Sequence, residues 1–368
     1  MSLIKIDYIE FYVFNALQAA NFYKSMLGFD IIAHGGPETG LHDKISYILK
    51  QGTIKLVISS AVDNNSNILK HVYAHDDGIK DIAFIVNDVR TLFETSINLG
   101  VTSILIPTDF DDGKTKITKA TVASFGSTTH SFIERSTTSD ILPFYQSIQY
   151  IPQNLDIGLE AIDHLAIAVE SGTIKKWQAF YENIFGFHVF YSEDIYLGSS
   201  GMLSVVVTNK DENIKCVLVE PVSGAEKSQI ENYISYNGCA GVQHLAFLSK
   251  DLIKSVGFVQ DQGMQFLNIP DNYYKGLQDA TKQKLDNNII DRVQELNILV
   301  DGTTKDEEGE GYLMQVFSKP LQNRPTFFIE IIQRENAKGF GSGNIRALYA
   351  AVQKNQQIEL KDISKEDA

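Results

Sequence analysis

The sequence predicts an α+β fold made of two tandem copies of one βαβββ module, and three observations carry that expectation. Short motifs recur in the same order: "IDYIEFYV" (Ile6 to Val13) with "IDHLAIAV" (Ile162 to Val169), "NFYKSMLGFD" (Asn21 to Asp30) with "AFYENIFGFH" (Ala179 to His188), and "GIKDIAF" (Gly78 to Phe84) with "GVQHLAF" (Gly241 to Phe247). Each copy reads as an apolar strand, a helix with a Phe-Tyr pair, a Gly-Phe turn and then several strands. At 368 residues the chain also has room for two domains of ~150 residues each.

In the first copy the strands after the turn are "KISYILKQ", "TIKLVISS", "IKDIAFIV" and "THSFIERS", with a helix at "VRTLFETSINLG" that stops on Gly100. In the second they are "MLSVVVTN", "IKCVLVEP", "GVQHLAFLS", "NILVDG", "YLMQVFSK" and "TFFIEIIQ". Between the copies, "YQSIQYIPQNLDIGL" (Tyr145 to Leu159) is polar and holds a proline, which marks a linker and puts the domains at 1–150 and 151–368. "DGTTKDEEGEGY" (301–312) reads as an acidic exposed hairpin loop, and the tail beyond residue 357 is polar enough to fray.

Composition narrows the partners. With 43% hydrophobic and 21% charged residues the chain is an ordinary soluble globular protein. A formal net charge of -14 leaves no basic excess with which to displace counterions, so nucleic acid and anionic membranes are poor partners and a small molecule is the better one. Two cysteines, Cys216 and Cys239, make neither a disulfide framework nor a structural zinc site. Asp7 and Glu10 interrupt the apolar stretch near the N-terminus, unlike a signal peptide, and no run reaches the ~18 apolar residues of a membrane span. The expected compartment is the cytoplasm.

The duplicated βαβββ plan resembles the vicinal-oxygen-chelate superfamily. That resemblance covers most of the chain and implies two open half-barrel domains, one of them curled around a metal.

The copies differ where such chemistry would sit. Tyr8 of the first copy matches His164 of the second, and Asp81 matches His244. The last strands, "SFIERS" and "FFIEIIQ", align Glu134 with Glu330. The second half therefore offers His164, His244 and Glu330 on three strands, and the first reads as a scaffold without imidazole. Two imidazoles and one carboxylate can fill one face of an octahedron and leave three positions open, as in non-haem Fe(II) oxygenases. Zinc also accepts that set. A strand histidine is often only a bonded core residue, but Glu330 inside an apolar strand needs a partner, and a metal supplies one.

Other histidines are weaker candidates. "HVYAH" puts His71 and His75 on one helical face but lacks the glutamate of a zinc-protease motif. His34, His42, His130 and His188 show no carboxylate or imidazole partner at suggestive spacing. No GxSxG elbow or Cys-His pairing supports nucleophilic catalysis.

At "IDHLAIAV", "GAEKSQIENYISYNGCAGVQHLAF", "YLMQVFSKP", "RPTFFIEIIQR" and "GFGSGNIRALY" the chain resembles, over its full length, the family of 4-hydroxyphenylpyruvate dioxygenase and 4-hydroxymandelate synthase. The resemblance implies Fe(II) on His164, His244 and Glu330. It implies substrate against Ser204, Gln243, Gln315, Phe317, Phe340 and Asn344, under a C-terminal lid helix at about 341–356. The implied partners are an aryl pyruvate and O2, and a homodimer is compatible with the family. A 2-oxo acid would chelate the iron, lose CO2 and then be hydroxylated at ring C1, giving homogentisate, or at the benzylic carbon, giving 4-hydroxymandelate.

Two places bear on that branch. Dioxygenases of the family typically read "GNF" where this chain has "GNI", so Ile345 replaces an aromatic. They read Pro and Asn where "CVLVEP" carries Val217 and Val219. Mandelate synthases are similar to this chain at both places, which makes 4-hydroxymandelate the expected product and homogentisate the alternative. A metal-free module that only sequesters a ligand is a third reading, disfavoured by the complete triad. The sequence departs from the family at "QRENAKGFG", where Glu335-Asn336 stands in place of a frequent glycine. The glycines of "KGFGSGNIRALYAAVQ" (Lys338 to Gln353) lack the Lys-Ser/Thr of a phosphate loop and serve a sharp turn into the lid instead.

Overall fold

The computed structural model describes residues 3–148, 157–197, 200–222, 224, 227–275, 277, 287–302, 311–341 and 343–347. The first copy runs β1 (Lys5–Tyr12), α1 (Ala16–Leu27), β2 (Asp30–Gly35), β3 (Lys44–Gln51), β4 (Ile54–Ala61), α2 (Asn67–His75), β5 (Gly78–Ile85), α3 (Val89–Asn98), β6 (Ser103–Asp111), β7 (Lys116–Ala123), β8 (Thr129–Arg135) and β9 (Gln146–Ser147). The second runs β10 (Leu159–Ala168), α4 (Ile174–Phe185), β11 (His188–Leu197), β12 (Ser200–Thr208), β13 (Lys215–Val222), α5 (Gln229–Asn237), β14 (Gly241–Ser249) and α6 (Leu252–Asp261). It then adds α7 (Asp271–Lys275) and α8 (Asn287–Glu295) before β15 (Leu299–Gly302), β16 (Tyr312–Phe317) and β17 (Phe328–Glu335).

The Phe-Tyr helices form where the sequence expects them. Asn15 caps α1 by accepting from the Gln18 N–H, and Gly28 at φ 69° ends it; Gly186 at φ 68° ends α4 in the same way. Both glycines return their N–H to two carbonyls of the last turn, a left-handed stop that a Cβ would strain. Ala16, Ala20, Tyr23 and Leu27 fall on one buried face of α1, and Trp177, Tyr181, Ile184 and Phe185 on that of α4. These helices pack on β3 and β4 and on β12 and β13 respectively.

Apart from β9, which has no counterpart, the strand orders match one for one. The first sheet runs β6-β7-β8-β5-β1-β4-β3-β2-β9 and the second β11-β12-β13-β10-β14-β17-β16-β15, the same sequence of equivalents read from the other end. Within each sheet β1 and β4, β5 and β8, β10 and β13, and β14 and β17 pair in parallel. Each half thus holds two βαβββ units joined by their first strands, so the module occurs four times rather than twice. One hydrophobic core crosses both halves through Phe11 against Phe327, Phe29 against Phe247 and Phe84 against Phe185. Separate apolar clusters line the other face of each sheet.

Several expectations need correction. Strands β2, β6, β7 and β11 were not legible in the pattern: β6 is an exposed edge strand with Pro107 inside it, and the Ser192-Glu193-Asp194 run interrupts the apolar alternation of β11. The linker is shorter than Tyr145 to Leu159, because Tyr145 is buried, β9 pairs with β2 and Leu159 already belongs to β10. The acidic loop lies largely, and the tail wholly, outside the described residues. The lid helix is described only at 343–347.

The pairing of Glu134 with Glu330 is also wrong. Register places Ser131 opposite Ala83 and Glu330 opposite Ala246, so Ser131 is the counterpart of Glu330. Glu134 matches Gln333 instead, and both do one job: Glu134 accepts from Val89 N at the start of α3, Gln333 from Leu252 N at the start of α6.

The same register reveals a repeated clamp. Arg135 on β8 bonds Asp7 on β1 at 2.7–3.1 Å, and Arg334 on β17 bonds Asp163 on β10 at 2.7 and 2.8 Å. Asp7 and Asp163 are bulge residues, skipped by the ladders to β5 and β14. Removing one partner of a buried pair leaves an uncompensated charge, at a cost of about 3–5 kcal/mol. Asp7 also pairs with buried Lys55 at 3.1 Å, so the charge that Arg135→Met strands is partly met. That variant should still lower the denaturant midpoint clearly, whereas Asp7→Asn, which removes the carboxylate that both cations share, should lower it further. Equal midpoints for wild type and Arg135→Met would refute the clamp.

Candidate metal centre

His164 on β10, His244 on β14 and Glu330 on β17 meet because of what stands between them. Ala246 lies opposite His164 on one side and Glu330 on the other, and Ala166 lies opposite His244. Cross-strand partners share a face, so the two alanines leave room above the sheet for longer side chains to converge. Glu330 Oε2 is 3.1 Å from His164 Nε2 and 3.4 Å from His244 Nε2, and the three ligand atoms all lie within 4.8 Å of one another. Bonds of ~2.1 Å at right angles put ligand atoms ~3.0 Å apart, so the donor set fits one ion held on one face. Among the described residues it is the one group of three such donors.

The second half's own symmetry shows why there are three ligands. Val217 stands opposite Ala166 as Glu330 stands opposite Ala246, so the position related to Glu330 is apolar. An ion on this triad would keep the Val217 side free of a carboxylate.

The electrostatics favour a cation. His164 Nδ1 lies 2.8 Å from Asp163 Oδ1, and a carboxylate can only accept, so Nδ1 keeps a proton and Nε2, which faces Glu330, is the nitrogen left to ligate once its own proton is displaced. Burial pushes the Glu330 carboxyl up, but the His164 and His244 imidazoles outweigh it and hold it at about 2. Burial pushes His164 down, yet Glu330 and Asp163 carry it to about 9. His244 stacks on Phe328, with ring centroids 4.7 Å apart, and burial keeps it below the usual histidine range. A proton shared among these groups holds the place that a metal ion would take.

Around the triad, Gln315 Nε2 donates to Glu330 Oε1 at 2.9 Å, and Asn344 Nδ2 donates to Gln315 Oε1 at 2.9 Å. Asn344 Oδ1 lies 2.9 Å from the Tyr273 hydroxyl, which accepts from Val300 N on β15. Phe340 packs edge-on against His164 at 5.1 Å, and Phe317 lies 6.1 Å from His244. Val217, Val219, Phe340 and Ile345 belong to one apolar cluster. Ser204 faces the same side as its partner Val219. Gln243, a bulge residue on β14, bonds Gln229 of α5 at 3.3 Å. The structure thus gathers all the sequence-predicted site residues in the second half.

Sequence reasoning missed Asp163, Arg334, Tyr273, Gln229 and the two alanines. Asp163 and Arg334 left a signal, since "ID" and the terminal arginine recur in both copies. Tyr273 lies on the α7 insertion, which has no counterpart in the first half. Asn336 adopts φ 55°, a left-handed conformation that would suit the glycine expected at this point and that asparagine also tolerates. Elsewhere, the His71 and His75 ring centroids lie 4.7 Å apart with no carboxylate bonded to either among the described residues. His75 Nδ1 faces Asn237 O at 2.6 Å and Cys239 Sγ at 3.8 Å, a Cys-His contact that the sequence did not suggest, and His130 is a core residue bonded to Tyr181. His34, contrary to expectation, does find a carboxylate: Glu38 at 3.2 Å.

Similarity to known proteins identifies the family. The profile of the Glyoxalase/Bleomycin resistance protein/Dioxygenase superfamily matches residues 161–283. Over 96% of its length the chain is 37% identical to 4-hydroxyphenylpyruvate dioxygenase of Danio rerio, covering 91% of that protein; over 95% it is 34% identical to that of Dictyostelium discoideum, covering 98%. It is also similar to the structure of a triply substituted 4-hydroxymandelate synthase from Streptomyces coelicolor, with a TM-score of 0.87, 33% identity and coverage of 97% of this chain and 100% of that one. The chain belongs to the family of 4-hydroxyphenylpyruvate dioxygenase and 4-hydroxymandelate synthase. The fold is accordingly a pair of vicinal-oxygen-chelate half-barrels, and the protein is a dioxygenase of a non-haem iron family. No helix among the described residues is long and apolar enough to cross a membrane.

Outer partners of metal-bound histidines typically carry 10–100-fold in metal affinity. Asp163→Asn is therefore expected to weaken anaerobic Fe(II) binding by about that factor, and Glu330→Gln by more, both read by calorimetry. Unchanged affinity in the two variants would place the metal elsewhere.

Proposed function

We propose that the protein is an Fe(II)-dependent oxygenase that converts 4-hydroxyphenylpyruvate and O2 to 4-hydroxymandelate and CO2. His164, His244 and Glu330 would hold the iron, with Asp163 fixing the His164 tautomer. Bound Fe(II) supplies open positions for a chelating 2-oxo acid and for dioxygen. The chain does the rest. Gln315 orients Glu330 and, through Asn344, ties it to the lid. Phe340, Val217, Val219 and Ile345 make an apolar wall that excludes water and bounds the substrate ring, while Ser204 and the Gln243–Gln229 pair offer polar contacts to a phenol hydroxyl.

The observation that carries the product assignment is the shared packing of Val219 and Ile345 beside Phe340. An aromatic at 345 would press on the ring, and an asparagine at 219 would hold its polar edge. Aliphatic residues at both positions let the ring move until the benzylic carbon, rather than C1, lies where oxygen is delivered. A displacement of about 1 Å is enough to redirect such a reaction. The second reading, homogentisate as product, is favoured by the name of the curated relatives at 37% and 34% identity.

Aerobic incubation with Fe(II), ascorbate and 4-hydroxyphenylpyruvate, with products resolved by chromatography and NMR, decides between the two. The wild type should yield mainly 4-hydroxymandelate, and Ile345→Phe with Val219→Asn should shift a substantial share to homogentisate. Homogentisate as the main wild-type product refutes the assignment. Glu330→Ala should abolish turnover, and retained activity would remove Glu330 from the triad.

A further inference from the structure

The first half-barrel keeps the anatomy of the second without its ligands. Its inner face holds a cavity of about 550 Å³, within the range of small-molecule sites. Register relates the two interiors: Tyr8 stands where His164 does, Asp81 where His244 does, Lys119 where Gln315 does and Ser46 where Ser204 does. The segment after β8, like the segment after β17 in the second half, covers the interior. Here it brings Leu142, Phe144 and Tyr145, held by the Tyr145 hydroxyl donating to Ser46 Oγ at 2.9 Å and by Phe144 N donating to Asp112 at 2.9 Å.

What replaces the metal is an ammonium group. Lys119 Nζ lies 2.9 Å from the Tyr8 hydroxyl and 3.4 Å from Asp81, the residues standing in for the two histidines. A second ammonium, Lys44, donates to Glu10 Oε1 at 2.7 Å, and Ser59 donates to the same oxygen. Burial works against both charges, but the carboxylates and tyrosines facing them keep both lysines protonated. An ammonium has three N–H groups. Among the described residues Lys44 uses one and Lys119 two, and the second oxygen of Glu10 has no bonded partner. The cavity is therefore lined by spare donors and a spare acceptor on its buried side and by Leu105, Phe110, Ile117 and Phe144 on its walls, with His42 and Asp43 at the exposed rim.

That lining selects its ligand. A simple carboxylic acid would meet Lys44 and Lys119 but also the negative Glu10, and a simple amine would meet Glu10 but also two ammonium groups. A zwitterion with an aromatic body satisfies all three at once. We propose that the first half-barrel is a second small-molecule site, distinct from the candidate metal centre, that takes an aromatic α-amino acid: carboxylate on Lys44 and Lys119, ammonium on Glu10, ring against Phe110 and Phe144.

Calorimetry on the full-length protein tests this with L-phenylalanine and L-tyrosine, and with 3-phenylpropionate and phenethylamine as probes that each lack one charge. One amino acid should bind per chain, and each single-charge probe should bind at least about tenfold more weakly. Lys119→Met should weaken amino-acid binding by a similar factor. Because that variant strands Asp81 and could fail to fold, Leu105→Trp serves as a second, filling the cavity from its half-exposed wall without touching the charged floor. It should abolish amino-acid binding while leaving thermal unfolding and oxygenase turnover intact. Gln315→Ala, in the other half, should leave amino-acid binding unchanged. The proposal is overturned by absence of saturable binding up to millimolar concentration, by binding that survives in folded Leu105→Trp, or by binding lost in Gln315→Ala.

Discussion

In each half of the molecule an arginine on the last strand reaches over one neighbouring strand to grip a buried aspartate on the first. Taking two such charges out of water costs several kcal/mol per ion, and only near-ideal geometry repays it. Arg334 meets that condition with two bonds to Asp163, and it also donates to the carbonyls of Ala337, Lys338 and Gly339. Its guanidinium lies 5.1 Å from the Phe340 ring. One side chain therefore joins β10 to β17, fixes the carboxylate that orients His164, and sets the path by which the chain leaves the sheet for the lid. In the first half Arg135 bonds Asp7 and the carbonyls of Ser139 and Ile141, the start of that half's own cover. The clamp is a property of the repeat, and the metal site is built on it.

Divergence between the halves is concentrated at the positions the clamp presents to the interior. Ala166 in the second half leaves space beside His244, whereas its counterpart Glu10 fills that space with charge. Gln315 is neutral and can orient a carboxylate, whereas Lys119 brings its own positive charge into a site of the same shape. The second interior is consequently short of a cation and the first supplies one covalently. The fold allows either solution because the central ladder is shared, with matching bulges at Asp7 and Asp163 on the first strands and at Lys80 and Gln243 on their partners.

The duplication and the triad were legible because they depend on short motifs in register, and because a glutamate amid "TFFIEIIQ" demands a partner. Glu134 was misread for the same reason: a glutamate near the end of a similar strand looks equivalent, and only the ladder shows that it caps a helix while Ser131 holds the Glu330 position. Bulges at Asp163 and Gln243 break the two-residue alternation on which face assignments rest, so no periodicity argument could place those side chains. Edge strands such as β6 bury too little to impose a pattern. Residues held by an insertion, such as Tyr273, leave no trace in a comparison of the two halves.

The hydrogen-bond path from Glu330 through Gln315 and Asn344 to Tyr273 makes ligand geometry and lid position one problem. Each link is buried or half-buried, and a buried amide that loses its partner costs about 1–3 kcal/mol. Moving the turn at 343–347 away from the pocket would break the Asn344–Gln315 bond and leave Gln315 with a stranded carbonyl oxygen beside the Glu330 carboxylate. The helical turn is held from the other side by Asp301, which accepts from Gly343 N at 2.8 Å. Ile345 sits one residue beyond Asn344, on the same turn. The side chain proposed to set the ring's freedom is therefore placed by the network that orients the metal ligand, so a substitution at 345 that tilts the turn acts on the triad as well as on the substrate.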